Sequence, residues 1–205
     1  MANILGQENI NKLSDNSVMN LLGSSSEKDM DELVNIIMSK GNLSSNNIYQ
    51  VLKSSHNPTD IAEKILQRQG PNLSSSNIAN ILENRKIDNS NDQFTKKIIQ
   101  YKGNNLVADD VFHLLTFAHN RQEIAGLMGR NNINKLVEEK SSNELIYPLL
   151  VGSGNVIEMA NILGHELINK IPSTDIYHLL RLENEEDRKA LQLLQLVNLL
   201  ALAQD

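Results

Sequence analysis

Six residues, Met1-Ala2-Asn3-Ile4-Leu5-Gly6, recur unchanged as Met159-Ala160-Asn161-Ile162-Leu163-Gly164, and both copies run into an Ile-Asn-Lys-Leu/Ile tetrad. A drifted third copy lies between them: Ile124-Ala125-Gly126-Leu127-Met128-Gly129, then Ile133-Asn134-Lys135-Leu136. Internal self-similarity of this kind is the mark of a repeat array, and it restricts the fold more than any single propensity does.

The period follows from the hydrophobic residue that opens each unit: Leu13, Leu43, Leu73, Leu106, Leu136 and Ile171, spaced by 30, 30, 33, 30 and 35. Five residues after each anchor stands a β-branched aliphatic (Val18, Ile48, Ile78, Val111, Ile176). Eight and nine after it comes an aliphatic pair (Leu21-Leu22, Val51-Leu52, Ile81-Leu82, Leu114-Leu115, Leu179-Leu180). The unit at Leu136 fits once about five residues are inserted, giving Ile146 and Leu149-Leu150. Apolar positions at i, i+3 and i+4 make the buried stripe of a short helix.

Start and stop signals support this reading. Ser14, Ser44 and Ser74 follow their anchors as N-caps. A second helix begins after a polar loop, with Asn57-Pro58 as N-cap and N1, and with Asn120…Glu123 and Asn155…Glu158 spaced as capping boxes. Gly41, Gly70, Gly103, Gly129 and Gly164 then stand where left-handed C-terminal caps are expected. Each unit is a helical hairpin too small to bury its own apolar face, so neighbours must stack. The expected fold is all-α: an α-solenoid of about five and a half hairpins with a period of 30–35 residues, occupying 1–205 as one helical-repeat domain. An irregular helical bundle is the alternative. Residues 1–12 read as a half-repeat, which is either a cap or the cut end of a longer array, and 185–205 as a terminal apolar helix. That helix is either buried against its own hairpin or offered to another copy for self-association.

Composition narrows the function. Cysteine is absent, which excludes disulfides and thiolate chemistry. The five histidines (His56, His113, His119, His165, His178) form no metal-binding spacing, and Gly152-Ser153-Gly154 lacks the Lys-Ser/Thr of a phosphate loop. The chain reads as non-enzymatic, with no cofactor and no metal. It carries no cleavable leader pattern and no stretch of the ~20 apolar residues a membrane span needs. A cytoplasmic protein, or one delivered into a host cell without a cleavable signal, is expected. Abundant Asn, Ile and Lys match an AT-rich bacterial coding sequence.

Aromatic residues make up only 3% of the chain, yet they concentrate six residues after the anchor: Tyr49, Phe112, Tyr147 and Tyr177. Beside them, seven after the anchor, lies a polar slot expected to be solvated, holding Gln50, His113 and His178, alongside Asn20 and Asn80. A row of rings at the edge of a buried stripe suits recognition of another protein. The competing reading is that the rings wedge between hairpins.

The segments Gly41-Asn42-Leu43-Ser44-Ser45-Asn46-Asn47-Ile48-Tyr49-Gln50-Val51-Leu52 and 70–82 resemble the first helix of transcription-activator-like effector repeats. Mitochondrial-terminator-type repeats are a comparable likeness. In the effector family the inter-helix loop reads DNA bases, so the resemblance implies a nucleic-acid-binding array as the alternative function. Its candidate residues are Lys53, Ser55, His56, Arg85, Lys86, Lys96, Lys97 and Lys102, within a stretch, 42–103, that carries +3 in a chain of net charge −6. The paired glycines of that family are missing, and unit length varies. Acidic flanks further oppose a polyanion. The leading expectation is therefore a binding scaffold for another protein.

Overall fold

The computed structural model describes residue 9 and residues 12–24, 27–38, 43–87, 92–138, 142–153 and 155–168. Every regular element among them is helical. The helices are α1 (Asp15–Ser24), α2 (Glu27–Met38), α3 (Ser45–Ser54), α4 (Pro58–Gln69), α5 (Ser75–Leu82), α6 (Gln93–Lys102), α7 (Ala108–Phe117), α8 (Arg121–Met128), α9 (Arg130–Glu138), α10 (Ser142–Gly152), α11 (Val156–Leu163) and α12 (His165–Ile168). Short 3-10 turns, Gly70–Asn72 and Gly103–Asn105, follow α4 and α6. The chain divides into two compact units, Met1–Gly103 and Asn104–Asp205.

In the first unit α3 touches α1, α2, α4 and α5, while α4 also packs on α6. The cause is the stripe expected from sequence: Ile48, Val51 and Leu52 are completely buried. Ile61, Ala62, Ile65 and Leu66 of α4, and Phe94 and Ile98 of α6, are buried as well. Polar bonds stitch the same seam. Ser45 Oγ donates to Asn77 Oδ1, and Asn80 Nδ2 donates to the Ser45 carbonyl at 2.9 Å. Lys97 pairs with Glu63 at 2.5 Å, joining α6 to α4.

In the second unit α7 touches α8, α9 and α10, and α11 touches α8, α10 and α12. Val111, Leu114, Leu115, Ile146, Leu149 and Leu150 fill its interior. Across both units the positions five, eight and nine after the anchor are buried at every described site except Leu21 and Leu82, which are half-buried.

The caps form largely as the residue types dictate. Ser14, Ser44 and Ser74 accept from the N–H of the residue three further on, and Asn57, Asn120 and Asn155 do the same for the second helices. In α7, Val107 offers no acceptor at the N-cap, and Asp110 instead reaches back to accept from the Val107 N–H at 3.0 Å.

Three expectations need correction. The unit anchored at Leu136 does not open with a loop residue: Leu136 is buried inside α9, and the five-residue insertion is what this extra helix requires. The glycines do not form left-handed caps. Gly70 is right-handed (φ −46°), and Gly103, Gly129 and Gly164 combine positive φ with ψ of −123°, 159° and 165°. Gly129 and Gly164 thus share a conformation nearly closed to other residues, at the junctions of α8 with α9 and of α11 with α12. The polar slot seven after the anchor is not uniformly solvated either, because Asn80 is half-buried against Ser45. Gly41 and the apolar segment 185–205 lie outside the described residues.

Candidate functional site

The aromatic row begins from helix geometry. Each successive residue turns by about 100°, so the position after a buried Ile48, Val111 or Ile146 points to the rim of the core. Tyr49 is 45% exposed, and Phe112 and Tyr147 are half-buried. None of these three rings is buried. Within the second unit, Phe112 and Tyr147 lie on α7 and α10, which pack together. His113 extends the surface: its ring meets Phe112 edge-on at 5.4 Å and stacks with Phe117 at 6.4 Å. Gln50 is half-buried beside Tyr49. Tyr177 and His178 lie outside the described residues.

The cationic candidates separate into different environments. Lys102 is buried, with Nζ donating to the Leu73 carbonyl at 2.8 Å. Ser55 is also buried, and its Oγ accepts from the Asn57 N–H at 3.0 Å. Neither presents its side chain to a phosphate. Lys97 is held by Glu63, and Lys96 is half-buried. Lys53, His56, Arg85 and Lys86 are exposed. His56 Nδ1 stands 3.4 Å from Asp31 Oδ1, at the edge of a cleft of about 200 Å³ lined in part by Asp31, Ser55, Asp60 and Lys64. Lys64 pairs there with Asp60 at 2.7 Å.

The inter-helix turns share a construction not apparent from the aligned stripes alone. Ser55, Ala118 and Ser153 are buried at three of them, each two residues before the capping Asn57, Asn120 or Asn155. Ser55 and Ser153 both accept from that Asn's N–H, and Ser153 also donates to the Leu150 carbonyl at 2.8 Å. The backbone at Ser55 (φ −69°, ψ 143°) and Ala118 (φ −68°, ψ 137°) is the same. The residue between, His56 or His119, is the exposed tip. The shared signal was the spacing small residue, any residue, Asn. It also explains Gly152-Ser153-Gly154: Ser153 builds a turn, and no phosphate cradle is needed.

Among the described residues no group of three His, Asp or Glu is placed to hold a metal ion. No helix of the described residues is long and apolar enough to cross a membrane. Comparison with protein families, with characterised proteins and with solved structures gives no match to this chain.

Proposed function

We propose that this chain is a helical-hairpin repeat scaffold, stacked as an α-solenoid, that binds another protein through the aromatic and polar row on its first helices. The observation that carries this reading is a contrast between neighbours on one helix. Ile48, Val111 and Ile146 are completely buried, yet Tyr49, Phe112 and Tyr147, one residue on, all reach the surface. Among the described residues the core is aliphatic apart from Phe94, and these three rings stand at its rim, where large side chains supply contact area at low entropic cost. The contacts of α3 with both α1 and α5 support stacking of hairpins in the first unit, as those of α7 with α10 do in the second.

Affinity capture from a lysate of the source organism tests the reading. A tagged chain is compared with a variant carrying Tyr49→Ala, Phe112→Ala and Tyr147→Ala. A protein recovered by the native chain and lost with the variant, at unchanged helical content, supports the proposal. Equal recovery by both counts against it.

A further inference from the structure

The turn after α5 is tightly built. Asn84 Oδ1 accepts from the Lys86 N–H at 3.0 Å, the Ile87 N–H returns to the Asn84 carbonyl at 2.9 Å, and buried Ile87 pins the turn to the core. Lys86 Nζ then crosses to the C-terminal end of α3 and donates to the Lys53 carbonyl at 3.2 Å. Lys53 leans over the exposed Tyr49 ring, with Nζ 5.6 Å from its centroid. Arg85, next to Lys86 in the same turn, is exposed. Two turns distant in sequence therefore bring three cations and an open aromatic face onto one surface.

We infer that this Tyr49, Lys53, Arg85 and Lys86 surface docks a short acidic segment of the partner protein, an inference that rests on the protein-binding reading above. Lys86 commits one N–H to the Lys53 carbonyl and keeps two for an incoming carboxylate. Lys86 also covers a carbonyl at the end of α3, whose dipole would otherwise repel an anion, and Lys53 adds a positive charge in the helix's last turn. The Tyr49 face accepts an apolar side chain next to the acidic ones. Glu83, exposed at the same turn, keeps the patch small.

A short acidic peptide fits better than a nucleic acid because few other cations extend the patch. Lys64 is paired with Asp60, Lys97 with Glu63, Lys102 is buried and Lys96 half-buried, which leaves Arg68 as the one other exposed cation among the described residues of 43–103. Residues 1–103 are balanced at eleven basic and eleven acidic side chains, leaving the whole net charge of −6 on 104–205. A polyanion gains affinity by neutralising many phosphates along its length. This surface offers three contacts, enough for a peptide carrying two or three carboxylates.

Fluorescence anisotropy with the full chain tests this. The probes are a labelled Glu/Leu peptide, its Gln/Leu counterpart and an oligothymidylate. The Glu peptide should bind and weaken as salt rises, and the Gln peptide should not. Lys53→Glu with Lys86→Glu should reduce affinity by at least about tenfold, and Tyr49→Ala by about tenfold. Lys53→Gln with Lys86→Gln should give a smaller loss in the same direction, and circular dichroism checks that each variant is folded. Gln122→Ala, at an exposed position on α8 outside the aromatic row, should leave this peptide's binding unchanged. Three results overturn the inference: indifference to charge reversal, equal binding of the Gln peptide, or tighter binding of the oligothymidylate through the same residues. If no acidic peptide binds while partner capture still depends on Phe112 and Tyr147, the docking inference fails and the scaffold reading stands.

Discussion

The ammonium group of Lys102 donates to the carbonyl of Leu73, twenty-nine residues earlier, and both residues are buried. The relationship recurs. Gln69, one repeat before Lys102, accepts from the Leu43 N–H at 2.8 Å and donates to the Leu43 carbonyl at 3.4 Å. Lys135 donates to the Leu106 carbonyl at 2.5 Å and the Asn104 carbonyl at 3.0 Å. In these three cases a polar side chain near a helix end, or within α9 for Lys135, is tied to the backbone of a leucine 26 to 29 residues earlier. This closes a backbone gap where the anchor has left the preceding element and has not yet entered its helix.

Lys102→Met should therefore destabilise the fold by about 1–3 kcal/mol, because it strands a buried carbonyl while keeping most of the apolar stem. Lys102→Gln should lose less, as Gln69 performs the same task one repeat earlier. Urea unfolding followed by circular dichroism checks both values. Equal stability of the Met variant and the native chain would show that the tie contributes nothing.

Neighbours on α3 should behave oppositely. Leu52→Ala removes a fully buried side chain and should cost about 2–5 kcal/mol. Tyr49→Ala, at the exposed rim, should stay within about 1 kcal/mol of the native stability. Parallel denaturant titrations measure the difference, and similar losses would mean that Tyr49 is a packing residue.

Gly70→Ala and Gly129→Ala should both destabilise, for different reasons. A methyl at Gly70 would lie 2.6 Å from Cγ and 2.9 Å from Cβ of Tyr101, near the root of a side chain that cannot swing clear. A methyl at Gly129 meets no atom within 4 Å, but its φ of +76° strains any residue with a Cβ, by about 1–3 kcal/mol. Adding Tyr101→Ala removes Cγ but keeps the Cβ at 2.9 Å, so it should rescue the first substitution in part and leave the second unchanged. Thermal melts of the three single and two double variants decide this, and rescue of both or neither contradicts the separation.

Ser74→Ala should cost about 1 kcal/mol by removing the oxygen that accepts from Asn77 at 3.2 Å. Ser74→Asp should restore most of it. The check is again the unfolding free energy, and a Ser74→Ala variant with native stability would deny the cap any role.

Much of this architecture was legible because it depends on local rules. The stripes of Ile48, Val51 and Leu52 follow from helical periodicity, and the caps at Ser44, Asn57 and Asn120 follow from the geometry of helix ends. Features settled over distance were not legible. Lys102 and Ser55 look like surface residues in sequence, and their burial depends on a carbonyl and a turn supplied by the fold. Helix α9 was hidden because Leu136 matches the anchor spacing of 30 residues while sitting inside a helix. The glycine positions were apparent, but not their backbone angles, since glycine marks a position that needs freedom without saying which conformation uses it. At the candidate site the exposure of Tyr49 followed from the wheel. Its pairing with Lys53 is a local relation four residues apart on α3, while the approach of Lys86 needed the α3 and α5 contact.

The central claim, that the aromatic row receives a protein, is tested most directly by photo-crosslinking. A benzoylphenylalanine placed at Phe112 or Tyr147 is compared with one at exposed Gln122 on α8, in cells or lysate of the source organism. The account predicts one discrete crosslinked protein species from positions 112 and 147 and none from 122. No specific crosslink at 112 and 147, or the same species at all three positions, would contradict it.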